Sequence, residues 1–115
     1  MSYDISVGGE DFNYTYNVFA LFYDHFPRVD EIKRGGLNML HGMTGKRAAE
    51  AISDAFNAIN RTRHLLWESG AIGEPYFCAK YDAKNSWGSA VGALIFLAMI
   101  MAACHRHPRA IVRVS

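Results

Sequence analysis

The sequence is short of every feature that would announce a chemistry. Charge of one sign is not in excess: twelve Lys and Arg stand against eleven Asp and Glu, a net +1. That balance gives no electrostatic reason to expect a nucleic acid or an acidic membrane surface as partner. Cysteine is scarce. Cys78 and Cys104 are too few and too far apart for a disulfide framework, which points to a reduced intracellular setting. Met1-Ser2-Tyr3-Asp4 has no basic segment followed by an apolar one, so no signal peptide is expected. Repeats and low-complexity segments are missing as well. What remains is the composition of one globular domain, 115 residues with half of them hydrophobic and a fifth charged.

What the sequence does have is one long uncharged stretch. Asn85-Ser86-Trp87-Gly88-Ser89 reads as a helix start, fifteen residues from Ala90 to Cys104 carry no charge, and His105-Arg106-His107-Pro108 closes the run. A helix apolar on all sides has to be covered on all sides, so the other elements are expected to be its covering. Trp87 to Cys104 reaches eighteen residues only by including two Gly and one Ser, short of the about 20 a spanning helix wants. No membrane is expected.

The flanking segments supply the cover. Tyr3, Ile5 and Val7 alternate and Gly8-Gly9 follows, a short strand and a turn. Ala110 to Val114 is β-branched after Pro108 and reads as a second strand. Pairing these terminal strands is the economical arrangement, and a sheet that small wants helices or a second copy to support it. Asn13 to Phe26 is expected to be the first helix, capped by Asn13 or Thr15, with Val18, Leu21, Phe22, His25 and Phe26 on one face. Leu37 to Gly42 adds a turn, and Thr44 caps a long helix from Gly45 to about Glu68. That helix buries Ala48, Ile52, Ala55, Phe56, Ile59, Leu66 and Trp67 and leaves Arg47, Glu50, Asp54, Asn57 and Arg61 outside. Arg28 to Arg34 and Ser69 to Lys84 read as loops, with a short extended piece at 76–82. The fold expectation is α+β: one small domain, terminal strands paired, two to three amphipathic helices around a central apolar helix.

Catalytic signatures are missing. Gly42 to Arg47 resembles a phosphate loop, yet Leu40 replaces its first Gly, Arg47 its final hydroxyl residue, and no strand precedes it. Cys104, His105 and His107 do not point one way on a helix, so no metal site is expected. No residue is assigned a catalytic role, no cofactor is expected, and enzyme activity has no positive support.

Two stretches interleave rings with amide and hydroxyl groups: Phe12 to Asn17, and Asn85 to Gly88. Aromatic faces with amide edges suit flat polar ligands, by stacking and paired hydrogen bonds. Convergence of the segments at Asn13, Thr44 and Asn85 would add backbone N–H groups that favour an anion. The candidate ligand-binding residues are therefore Asn13, Tyr14, Thr15, Asn17, Thr44, Gly45, Asn85 and Trp87. The ligand expected is small, polar or anionic, and nucleotide-like. The alternative is a protein–protein module, a homodimer or an inhibitor of a host protein, using the aromatic face and the sheet edge.

The same motifs carry a resemblance. Tyr3-Asp4-Ile5 to Gly8-Gly9-Glu10 with Phe12-Asn13-Tyr14-Thr15, Gly42-Met43-Thr44-Gly45, Asn85-Ser86-Trp87-Gly88 and the ending Pro108 to Ser115 resemble small phage and actinobacterial proteins. The similarity spans most of the chain, with a longer Gly70 to Lys84 segment here. It implies a phage or prophage origin, and with it a place in the host cytoplasm, but no particular activity. Small phage proteins often inhibit or sequester what a host defence needs, an analogy of origin rather than of residues.

Overall fold

The computed structural model describes residues 2–26, 36–68, 80–83 and 87–115, with backbone only for Tyr16 and 64–68. The expected loop at 28–34 and most of that at 69–84 lie outside these residues. Of the expected extended piece at 76–82, the described Lys80 and Tyr81 are helical.

β1 (Ser2–Val7) and β2 (Glu10–Thr15) form an antiparallel hairpin in which Val7 faces Glu10. Only two residues join them, and both have positive φ, 57° at Gly8 and 82° at Gly9. Such a loop matches the twist of paired strands and needs residues without a Cβ. β3 (Arg113–Val114) pairs antiparallel with the other side of β1, so the order is β2-β1-β3. The terminal strands are thus paired, as expected. The expected helix from Asn13 to Phe26 is corrected: residues up to Thr15 are strand. A turn of 3-10 helix spans Tyr16–Val18, and α1 is Phe19–His25. Neither Asn13 nor Thr15 caps it, and Val18 at its start offers no side-chain cap. The reason lies in the pattern. Every residue of the proposed helix face, from Val18 to Phe26, lies after position 17, while Phe12 and Tyr14 alternate with Asp11 and Asn13 as a strand requires.

Packing follows from these faces. Tyr3, Ile5 and Val7 point inward and are buried, and so is the α1 face of Val18, Leu21, Phe22, His25 and Phe26. Phe22 lies edge-on to Tyr3 with centroids 5.3 Å apart. The one buried polar side chain among the described residues, His25, has both ring nitrogens bonded, Nδ1 to the Leu21 carbonyl (2.7 Å) and Nε2 to Thr62 Oγ1 (2.9 Å). Residues Gly36–Leu40 make a 3-10 turn that buries Leu37 and Leu40. α2 (Gly45–Glu68) buries Ala48, Ile52, Ala55 and Ile59 and exposes Arg47, Glu50, Asp54, Asn57 and Arg61.

α3 (Ala90–Arg106) crosses this core, burying Ala93, Phe96, Leu97, Ile100, Ala103 and Cys104. Its cap is Ser89, the last residue of the expected helix start, whose Oγ accepts from Gly92 N. One expectation about it changes: it is not covered all round among the described residues, since Val91, Ile95 and Met99 remain 50%, 56% and 51% exposed. No helix among the described residues is long and apolar enough to cross a membrane.

Candidate functional site

Three of the expected site residues, Asn13, Tyr14 and Thr15, are consecutive on β2, and the structure sets them against the start of α3. Tyr14 leans inward and stacks on Phe96, centroids 5.5 Å apart. Its hydroxyl accepts from Ser89 N (2.9 Å) and donates to Ser89 O (3.1 Å). Two glycines let β2 come this close. At Gly92 a Cβ would overlap the Tyr14 hydroxyl, and at Gly88 it would overlap the Thr15 methyl. Gly88 also has φ 122°, which other residues rarely adopt. Asn17 closes the arrangement by donating from Nδ2 to the Trp87 carbonyl (3.2 Å).

The result is an open cleft of about 710 Å³ lined by Asn13, Tyr14, Thr15, Asp82, Trp87 and Ser89, among others. Trp87 stands at its rim, 73% exposed. Most polar groups around it already have internal partners. Asn13 Nδ2 donates to Asp4 Oδ1 (2.7 Å), and Thr15 Oγ1 accepts from Asn17 N (3.2 Å). Asp82 Oδ1 accepts from Ala90 N (2.7 Å). A helix N-terminus attracts negative charge through free N–H groups and its dipole. Here Asp82 and Ser89 occupy that position themselves.

Thr44 and Gly45 are not part of this cleft. They abut the other end of α3, where a Cβ on Gly45 would overlap the His107 carbonyl. Ala90 to Arg106 spans about 25 Å at 1.5 Å per residue, which separates the two places. The start of α2 is also closed to an anion. Gly45 N donates to Ala110 O (2.8 Å), Lys46 N to Pro108 O (2.9 Å) and Arg47 N to Thr44 Oγ1 (3.3 Å). Thr44 thus acts as the expected cap. Asn85 lies outside the described residues.

Several polar contacts went unread in the sequence. Asp82 and Ser89 had the weakest signal, a carboxylate and a hydroxyl just ahead of an apolar run. Glu10 forms a two-pronged ion pair with Arg106 (3.0 and 2.6 Å) and meets His107 Nε2 (2.9 Å), tying the hairpin to the end of α3. The Arg106 bonds hold the Glu10 carboxyl below its ordinary value against the opposing effect of desolvation, and the His107 bond adds to them. Tyr81 donates to Asp24 Oδ2 (2.7 Å), and burial followed by that carboxylate pushes its hydroxyl well up. No spacing rule links residues 96 or 57 positions apart.

Nothing in these contacts assembles a reaction centre. Among the described residues no group of three or more His, Cys, Asp or Glu could hold a metal. Burial raises the Cys104 thiol, which disfavours the reactive thiolate. A second hollow, about 560 Å³, lies on the polar face of the sheet among Asp4, Asp11, Asn13, His41 and Arg113. It has the character of a solvated strand face. No protein family, curated protein or solved structure matches the chain.

Proposed function

We propose that the protein is a non-enzymatic binding module that takes a small, flat, polar ligand between Trp87 and the Asn13–Thr15 stretch of β2. What supports the reading is the cleft of about 710 Å³ with a large exposed ring at its rim and amide, hydroxyl and carboxylate groups along its floor. A ring and polar edges lining one cleft suit a heteroaromatic ligand such as a nucleobase. Of the polar and anionic ligands the sequence admits, the cleft favours the uncharged one. Among the described residues its lining includes the Asp82 carboxylate and no Lys or Arg, and the first turn of α3 has its acceptors in place. A base or nucleoside fits that chemistry better than a phosphate.

A phage-encoded origin, a place in the host cytoplasm and a role in sequestering a ligand on which a host defence depends rest on the sequence resemblance. The alternative, a protein–protein module, is favoured by a separate observation, the uncovered apolar ridge of α3.

The test is a thermal-shift and tryptophan-fluorescence screen with free bases, nucleosides and nucleoside monophosphates. A bound base or nucleoside is expected to add about 2.7 kcal/mol of stability at a hundredfold excess over its dissociation constant. Trp87→Ala should abolish the shift, and the matching monophosphate should bind no tighter. A screen in which no probe stabilises the protein would overturn the reading, and so would a shift that survives Trp87→Ala.

A further inference from the structure

Among the described residues nothing covers one side of α3. Val91, Ile95 and Met99, four residues apart, form one ridge along it, each about half exposed. Exposed Ala98 and Ala102 lie beside them and leave the ridge standing proud. Next to the ridge runs a groove of about 380 Å³ between α3 and β2, with Asp11, Phe12, Tyr14 and Phe96 along it and Ile95 and Met99 of the ridge itself as its near wall. β2 is an edge of the sheet among the described residues, so one rim of the groove also presents strand backbone on its outer side.

We propose that this ridge and groove form a two-fold interface with a second copy of the chain. A ridge with a groove alongside can serve as both halves of a two-fold contact: each copy's Ile95 and Met99 lie over the other's groove between α3 and β2. Residues four apart make the row that interdigitates when helices cross at about −50°. A two-fold axis brings like groups face to face, so an interface around it tolerates apolar residues and rejects a lone charge. From Ala90 to Cys104 α3 has none, even where it is exposed, so the axis passes over α3 and leaves Asp11 of the groove wall away from its copy.

The area sets the extent. A stable contact takes about 800 Å² from each copy, roughly a ninth of the 6915 Å² of this surface. A helix strip about 25 Å long and about 10 Å wide falls short of that by itself. The contact therefore continues over the β2 edge. A lipid surface is the poorer occupant, because it would want cations around the ridge. Arg106, the cation that ends α3, is committed to Glu10.

The proposal is independent of the ligand reading, and its test is the mass in solution. Light scattering after size exclusion, across a concentration series, should give twice the 12.9 kDa of the chain. Ile95→Glu should give the single-chain mass with an unchanged circular dichroism spectrum. Ile111→Glu, an exposed apolar residue away from α3, should leave the dimer intact. If Ile95→Glu does not fold, oxidation of Met99 in the unaltered protein decides, and it should slow several-fold as concentration rises. A single-chain mass at every concentration overturns the proposal. So does a dimer that persists in folded Ile95→Glu, equal dissociation by Ile111→Glu, or Met99 oxidation that ignores concentration.

Discussion

Tyr14 and Gly92 make the closest fit between sheet and helix, and they set opposite signs on one familiar substitution. Glycine inside an exposed helix normally costs up to about 1 kcal/mol relative to alanine, so Gly92→Ala would stabilise an isolated α3. In the folded chain the added methyl meets the Tyr14 hydroxyl. Overpacking of that kind costs about 1–3 kcal/mol, which outweighs the gain in helix propensity. Tyr14→Phe removes the hydroxyl that satisfies both Ser89 N and Ser89 O, at a cost of about 1–3 kcal/mol for the groups left behind. The two changes should not add. Urea unfolding is expected to show a smaller Gly92→Ala penalty in the Tyr14→Phe background, with unchanged m values. Simple additivity would mean that the hydroxyl is not what excludes the methyl.

At the scale of elements, strands and helices differed in how openly the sequence declared them. From Ala48 to Arg61 α2 could be read nearly residue by residue, because one amphipathic period ran unbroken behind a capping Thr, although Phe56 is only half-buried and the side chains of Leu66 and Trp67 lie outside the described residues. β2 was legible in principle, since Phe12 and Tyr14 alternate with Asp11 and Asn13, but the caps expected at Asn13 and Thr15 obscured it. Asn, Thr and Ser serve helix starts and strand edges alike, and what decided here was the pairing partner, Val7 to Ser2, across the two-residue Gly8-Gly9 turn. The candidate site was legible only in part. Asn13, Tyr14, Thr15, Asn17 and Trp87 were visible as an aromatic and amide pattern, and β2 brings them together. Thr44 and Gly45 look equally suitable in sequence but lie at the far end of α3.

The joint between the hairpin and α3 should also be visible to pH. Glu10 has its carboxyl held below the ordinary 4.5 by Arg106 and then His107, so it is bound more strongly as the anion in the folded chain. The stability it adds is therefore present above 4.5 and lost as pH falls through the depressed folded value. Thermal melts of the protein and of Glu10→Gln are expected to differ at neutral pH and to converge in acid below 4.5. Parallel curves across that range would show that the pair contributes nothing measurable, as many exposed pairs do.

For the molecule as a whole the governing fact is where the chain ends meet. β3 pairs with β1, Ser115 exchanges two backbone bonds with Asp4, and Val112 exchanges two more with Gly42 and Met43. Val112 is also fully buried. The last residues thus close the sheet on one side and seat the start of α2 on the other, so helices and sheet depend on the same few contacts. Pairings this far apart in sequence form only when the whole loop between them is closed, which makes gradual assembly from one end unfavourable. The described residues should therefore unfold in one transition, with near- and far-ultraviolet circular dichroism changing together. Removal of residues 110–115 would strip partners from Gly42, Gly45 and Asp4 and leave a hole where Val112 sat. The shortened chain is expected to keep some helical signal and to lose the cooperative melt. A truncated chain that still melts sharply at the original midpoint would place the stability in the α2–α3 pair alone and reduce the sheet to a passenger.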